Sequence, residues 1–187
     1  MLSSTTNTTG DEKKLDIELF LTAQEWKWDD ALDEIKSGEK ISHWIWFIWP
    51  QLPGLGTSRM AQTYAIPSLE AAKEYLDHEV LGTRLQEITE AALNWNSNGE
   101  DIKVLMGSET DKMKFQSSMT LFMRASDKED NIFKKVLEKY YGGDVDTATD
   151  DKLAELQANT TTRGLTQNPD MEDTIKQPPT PPSPHVS

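Results

Sequence analysis

The run Ile41-Ser-His-Trp-Ile-Trp-Phe-Ile-Trp-Pro-Gln-Leu-Pro-Gly-Leu-Gly56 constrains the chain more than any other stretch, because it is apolar on every side and holds three of the six tryptophans. As extended backbone it would place Trp44, Trp46 and Ile48 on one side and Ile45, Phe47 and Trp49 on the other, so both sides need cover. A segment of this kind runs through a core. Pro50 and Pro53 forbid continuation as a helix, while Gly54 and Gly56 permit backbone approaches that a side chain would block. The expectation is a central core element followed by a tight loop. Small-ligand pockets combine apolar walls with a few oriented polar groups, so His43, Gln51 and a tryptophan edge make this loop a candidate pocket wall.

The surrounding pattern is helical, which predicts a mainly α fold: one compact helical domain over residues 15–145 built around the tryptophan segment and its Pro/Gly loop. Asp16 caps a helix carrying Ile17, Leu19, Phe20 and Leu21, and Trp28, Ala31, Leu32 and Ile35 share a helical face that Gly38 closes. Ser68 is an N-cap for Leu69 to Asp77, and Val80 to Trp95 continue a long amphipathic period. His78, at the junction, reads as a cap of the preceding helix. Ile102 to Met106 form a short apolar turn closed by Gly107, and Ser108 caps the stretch that supplies Met113, Phe115, Met119, Leu121, Phe122 and Met123. Asp130 precedes a last strong period from Ile132 to Tyr141, stopped by Gly142 and Gly143. A short helix over residues 146–158 carries few apolar side chains.

The two ends read differently. Residues 1–14 are rich in Ser, Thr and Asn, too polar to offset the entropy of ordering, and are expected to form a disordered leader. Residues 159–187 hold six of the nine prolines and are expected to form a disordered tail. Pro178 to Pro181 and Pro181 to Pro184 have the spacing that an SH3 or WW domain reads, and Thr180-Pro and Ser183-Pro have the form of proline-directed phosphorylation sites.

Charge and composition remove whole classes of function. A formal net charge of -13 opposes attraction to nucleic acid or anionic lipid. No apolar run is long enough to span a bilayer, and the reading is cytoplasmic, with the nucleus as the alternative. Zero cysteines exclude disulfides, thiolate zinc, iron–sulfur clusters and a Cys nucleophile, and three histidines are few for a metal site. Gly54-x-Gly56 lacks a third glycine and no Gly-Lys-Ser/Thr occurs, so neither dinucleotide nor P-loop chemistry is indicated and no cofactor is assigned.

What remains is a set of single residues. His43, inside the apolar run, is a candidate proton shuttle, and Asp111 is the candidate for the carboxylate that an N-glycosidic cleavage would need near the anomeric carbon. Trp44 or Trp49 would stack on a base, Gln51 would stand in the ligand-binding wall, and Arg59 or Lys114 would meet a phosphate. Arg59 follows the glycine loop at the start of a helix, where backbone N–H groups also favour an anion. Asp111 and Lys114 are spaced to pair on one helix face. Ser117 is placed either to bind a ligand or to bond backbone carbonyls.

From Ser42 to Gly56, through Ser58-Arg-Met-Ala-Gln-Thr-Tyr64, then Ser68-Leu69, Ala72, Tyr75-Leu76, His78, Val80-Leu-Gly82, Arg84-Leu85, Asp111, Lys114 and Ser117 to Phe122, the sequence resembles the domain of unknown function 1810 family. The resemblance covers about residues 16–143 and implies a compact helical domain without an established activity. Glu79 stands where many relatives carry Pro. The label calpastatin, which circulates for such sequences, does not suit a single tryptophan-rich helical domain, since calpastatins are disordered repeats. A more distant likeness, at His78 to Leu85, is to the helical NADAR group, which handles NAD and ADP-ribose derivatives. That group's Ser-Glu-His-Tyr-Phe string is absent, so its catalytic glutamate has no counterpart. Two expectations follow: binding or processing of a nucleotide-like small molecule, as by an N-glycosidase or ADP-ribose-processing hydrolase, or a noncatalytic adaptor that recruits partners through the Pro-rich end.

Overall fold

The computed structural model describes residues 14–166, and among them the regular structure is helical throughout. Helix ends follow local chemistry. The Asp16 carboxylate accepts from the Leu19 N–H to start α1 (Ile17–Glu25), and α2 (Trp28–Ser37) ends at Gly38, whose φ of 92° suits a residue without Cβ. Ser58, Ser68 and Ser108 cap α4 (Arg59–Thr63), α5 (Leu69–Asp77) and α8 (Glu109–Ala125) through their hydroxyls. Asn131, rather than the neighbouring Asp130, caps α9 (Ile132–Tyr141). The short α7 (Lys103–Met106) stops at Gly107.

His78 does more than the expected capping. Its N–H closes α5 on the Glu74 carbonyl, and its Nδ1 accepts from Val80 and Leu81 to open α6 (Glu79–Leu93). The far end of α6 is closed from α9, where the Tyr140 hydroxyl donates to the Ala92 carbonyl and the Lys139 ammonium to those of Leu93 and Trp95.

Within the tryptophan segment the backbone departs from the extended reading. Residues Ile45–Ile48 make a single helical turn, α3, which Pro50 prevents from continuing. The turn brings together two rings that alternation would have separated: Trp44 and Trp49 lie 5.5 Å apart between centroids, and Trp49 packs on Phe115 of α8 at 4.4 Å. Helix α8 packs against α3, α5, α7 and α9, with Phe115, Met119, Leu121 and Phe122 fully buried. The tryptophan segment is thus core, enclosed by α8 on one side and by α1 on another.

The last helix, α10, runs Thr147–Thr166, past the boundary expected at residue 158. No proline interrupts residues 147–168; the prolines that suggested a tail say nothing about the residues preceding them. Residues up to Leu153 form one unit, and from Ala154 the described residues are the rest of α10 in a second. The expected leader, up to residue 13, and the PxxP segment lie outside the described residues.

Gly82 faces the Leu76 carbonyl so closely that a Cβ would overlap its oxygen. Replacing glycine by alanine inside a helix ordinarily stabilises it by about 1 kcal/mol. Here Gly82→Ala is expected to destabilise by about 2 kcal/mol, because backbone must move; urea unfolding measures the sign, and a gain in stability would contradict this packing.

Candidate functional site

The segment entering α3 is tied down by one carboxylate. Glu34, on α2, accepts from the backbone N–H groups of Ile41 and Ser42, from the Ser42 hydroxyl at 2.6 Å and from Trp44 Nε1 at 2.7 Å. Burial pushes the Glu34 carboxyl up, but these bonds, the Ser42 hydroxyl first, outweigh it and hold the group below its ordinary value. The second indole N–H of the core, Trp49 Nε1, donates to Thr89 at 3.0 Å.

Beside this anchor lies a charged cluster. Lys40, its side chain only 4% exposed, reaches Asp111 Oδ2 at 2.6 Å and donates to the Ser42 carbonyl at 2.8 Å. Lys114 pairs with the other carboxylate oxygen, Oδ1, at 3.2 Å. Each ammonium also faces an indole: Lys40 lies 5.0 Å from the Trp44 ring and Lys114 4.9 Å from the Trp46 ring. Two cations therefore share one carboxylate, partly shielded from water. Trp46 is half-buried, and its Nε1 is enclosed without a hydrogen-bond partner, as are Gln51 Oε1 and Ser118 Oγ.

Sequence reasoning paired Asp111 with Lys114 from their spacing and missed Lys40, which stands in the polar stretch between Gly38 and the apolar run. Its position comes from nonlocal contacts, including its own N–H on the Leu105 carbonyl at 2.7 Å. Trp44 and Trp49 are 0% and 1% exposed, so in this conformation neither ring is offered to a base. Gln51 is buried in the loop with Gly56 beside its amide. His43 is exposed, and no contact joins it to Asp111, both of whose oxygens are engaged by lysines. Arg59 is exposed at the first position of a five-residue helix, apart from the cluster, where Ser58 already takes one of the free N–H groups. Ser117 is buried, its hydroxyl within bonding distance of the Met113 carbonyl and of Asp146, which Thr149 also holds. Surface depressions lie at the α8–α9 turn and along Thr83, Gln86 and Glu90, and residues of the tryptophan segment line neither. Among the described residues no group of three His, Asp or Glu is arranged to hold a metal ion.

A family model described as a protein of unknown function, DUF1810, matches residues 14–153. Among solved structures, the chain is similar to the conserved hypothetical protein Rv1873 from Mycobacterium tuberculosis, at 42% identity and a TM-score of 0.70, over 74% of this chain and 96% of that one. No curated protein matches.

Two stability experiments follow from the geometry. A carboxyl whose pKa is depressed by folding stabilises the native state above the ordinary glutamate range, and that contribution disappears as pH falls through the native value. Glu34→Gln is expected to cost about 2 kcal/mol at neutral pH, the worth of hydrogen bonds to a charged acceptor, and its urea midpoint should fall less on acidification than that of the parent chain. For the cluster, Asp111→Asn leaves the buried Lys40 without a counter-charge and is expected to cost about 3 kcal/mol or more. Adding Lys40→Met should recover part of the loss, which a double-mutant cycle by urea unfolding reads directly.

Proposed function

We propose that this chain, which belongs to the DUF1810 family, binds a small anionic molecule of the nucleotide class at the face where Lys40, Asp111 and Lys114 meet Trp46. One observation carries the reading: in a chain with an excess of 13 acidic groups, two ammonium groups share a single carboxylate in a partly desolvated position. A phosphate or carboxylate arriving there meets the Lys114 ammonium in a setting of lowered dielectric, where a charge-assisted bond is worth more than at the open surface. Lys114 is the contact residue, because its side chain is 19% exposed whereas that of Lys40 is 4% exposed. Lys40 and Asp111 then position it, and the half-buried Trp46 supplies the apolar wall. The likeness at His78 to Leu85 to a group that handles NAD and ADP-ribose derivatives is what makes the diphosphates the first probes.

Processing of such a ligand would require a base, and the two lysines that engage Asp111 favour its role as an anchor for charge over that of a proton acceptor. A second reading, a protein partner in place of a small molecule, draws on Ile41 and Met113, whose side chains are 75% and 59% exposed next to Lys40 and Lys114 in the chain.

Titration calorimetry with ADP-ribose and ADP tests the proposal. Lys114→Met, which keeps the aliphatic stem over Trp46, is expected to weaken binding at least tenfold, about 1.4 kcal/mol, without lowering the thermal midpoint by more than a few degrees. Equal affinity in the parent chain and this variant, or no binding by either, rejects the site.

A further inference from the structure

We infer a second anion site, independent of the first, at Arg84, and assign it to a planar aromatic anion such as a nucleoside monophosphate. Arg84, on α6, is half-buried and lies 5.4 Å from the Trp28 ring. One of its N–H groups donates to Gln24 Oε1 at 3.3 Å, and it forms no ion pair with a carboxylate among the described residues. Most other cations of this acidic chain do form one, at the surface: Lys27 with Asp30, Lys36 with Glu87, Lys112 with Asp101 and Arg124 with Asp150.

The guanidinium is held from behind by a buried relay. Gln24, 1% exposed, donates from one amide nitrogen to the Phe47 carbonyl at 2.8 Å and to the Tyr75 hydroxyl at 2.9 Å. Both donor directions of that amide are thereby fixed, and its oxygen is left to face Arg84. Burial keeps the Tyr75 hydroxyl protonated, so neither Tyr75 nor Gln24 supplies the counter-charge. The result is a planar fork, fixed between an amide oxygen and an indole face, with donors in excess of its protein partners. This is the arrangement that bidentate recognition of phosphate or carboxylate requires.

The aromatic half of the assignment comes from Trp26. It stands between Gln24 and Trp28 at the corner where α1 gives way to α2, and it is 78% exposed, the most open of the large apolar side chains among the described residues. A solvated indole two residues from Gln24 and two from Trp28, both of which touch Arg84, offers a flat surface to a base or aryl ring, a contact available to every heteroaromatic ring.

The full chain, titrated with AMP, adenosine and inorganic phosphate while the tryptophan indole N–H resonances are followed by NMR, tests this directly. AMP should shift the Trp26 and Trp28 signals and bind at least tenfold more tightly than adenosine or phosphate. Trp26→Ala should reduce AMP to the affinity of phosphate, and Arg84→Gln should weaken both AMP and phosphate at least tenfold. Arg84→Lys, which keeps the charge without the fork, should be several-fold weaker than the parent chain and serves if the glutamine variant does not fold. Lys114→Met should leave these shifts unchanged, so failure of the first site and failure of this one are separable. AMP affinity unaltered in Arg84→Lys or Arg84→Gln, or shifts confined to Trp46, would overturn the assignment.

Discussion

The structure depends on hiding two indoles without stranding their N–H groups. Trp44 and Trp49 each remove roughly 200 Å² of mostly apolar surface from water, a gross gain of about 5 kcal/mol apiece. An indole N–H buried without an acceptor would return about 1–3 kcal/mol of that. The fold therefore brings an acceptor to each ring, the Glu34 carboxylate to one and the Thr89 hydroxyl to the other. Since α2 carries the first acceptor and α6 the second, meeting this demand also fixes how those helices stand against the segment. Within this segment Trp46 is the ring for which the demand is not met by the protein, and it is also the ring of the three that comes part way to the surface.

Helix ends were legible in the sequence because they are local events. Asp16, Ser68, Ser108, Gly38 and Gly107 each act on residues within a turn of themselves, and each does what its side chain or lack of one dictates. Four residues at helical pitch leave too little period to distinguish from a strand, so α3 was not legible. Lys40 and Glu34 were invisible for a different reason: their roles are set by Asp111 and Trp44, partners that chain contiguity does not announce. Hydrophobicity likewise ranks all tryptophans alike, yet Trp44 lies in the core and Trp26 in solvent. Of the candidate residues, the Asp111–Lys114 pair was found by spacing alone, whereas the engagement of Ser117 with Asp146 depends on how α8 meets the start of α10.

The recessed cations follow a common pattern. Lys40, Lys114 and Arg84 each lie over an indole, of Trp44, Trp46 and Trp28 respectively. An aromatic face attracts a cation by about 0.5–2 kcal/mol without neutralising it. In a chain with carboxylates to spare, this holds recessed positive charge in place with one shared carboxylate for the two lysines and, among the described residues, none for the arginine. The tryptophans thus serve two ends, filling the interior and holding the recessed cations in place.

The corner at His78 has a dynamic consequence. Its own N–H finishes α5 while its ring begins α6, so no residue between the two helices is left over to act as a hinge. Fraying of the last turn of α5 displaces the ring that holds the first turn of α6, and the reverse holds equally. The two helix ends are therefore one cooperative unit of opening, and amide protons on either side of the corner share a single exchange event instead of two independent ones.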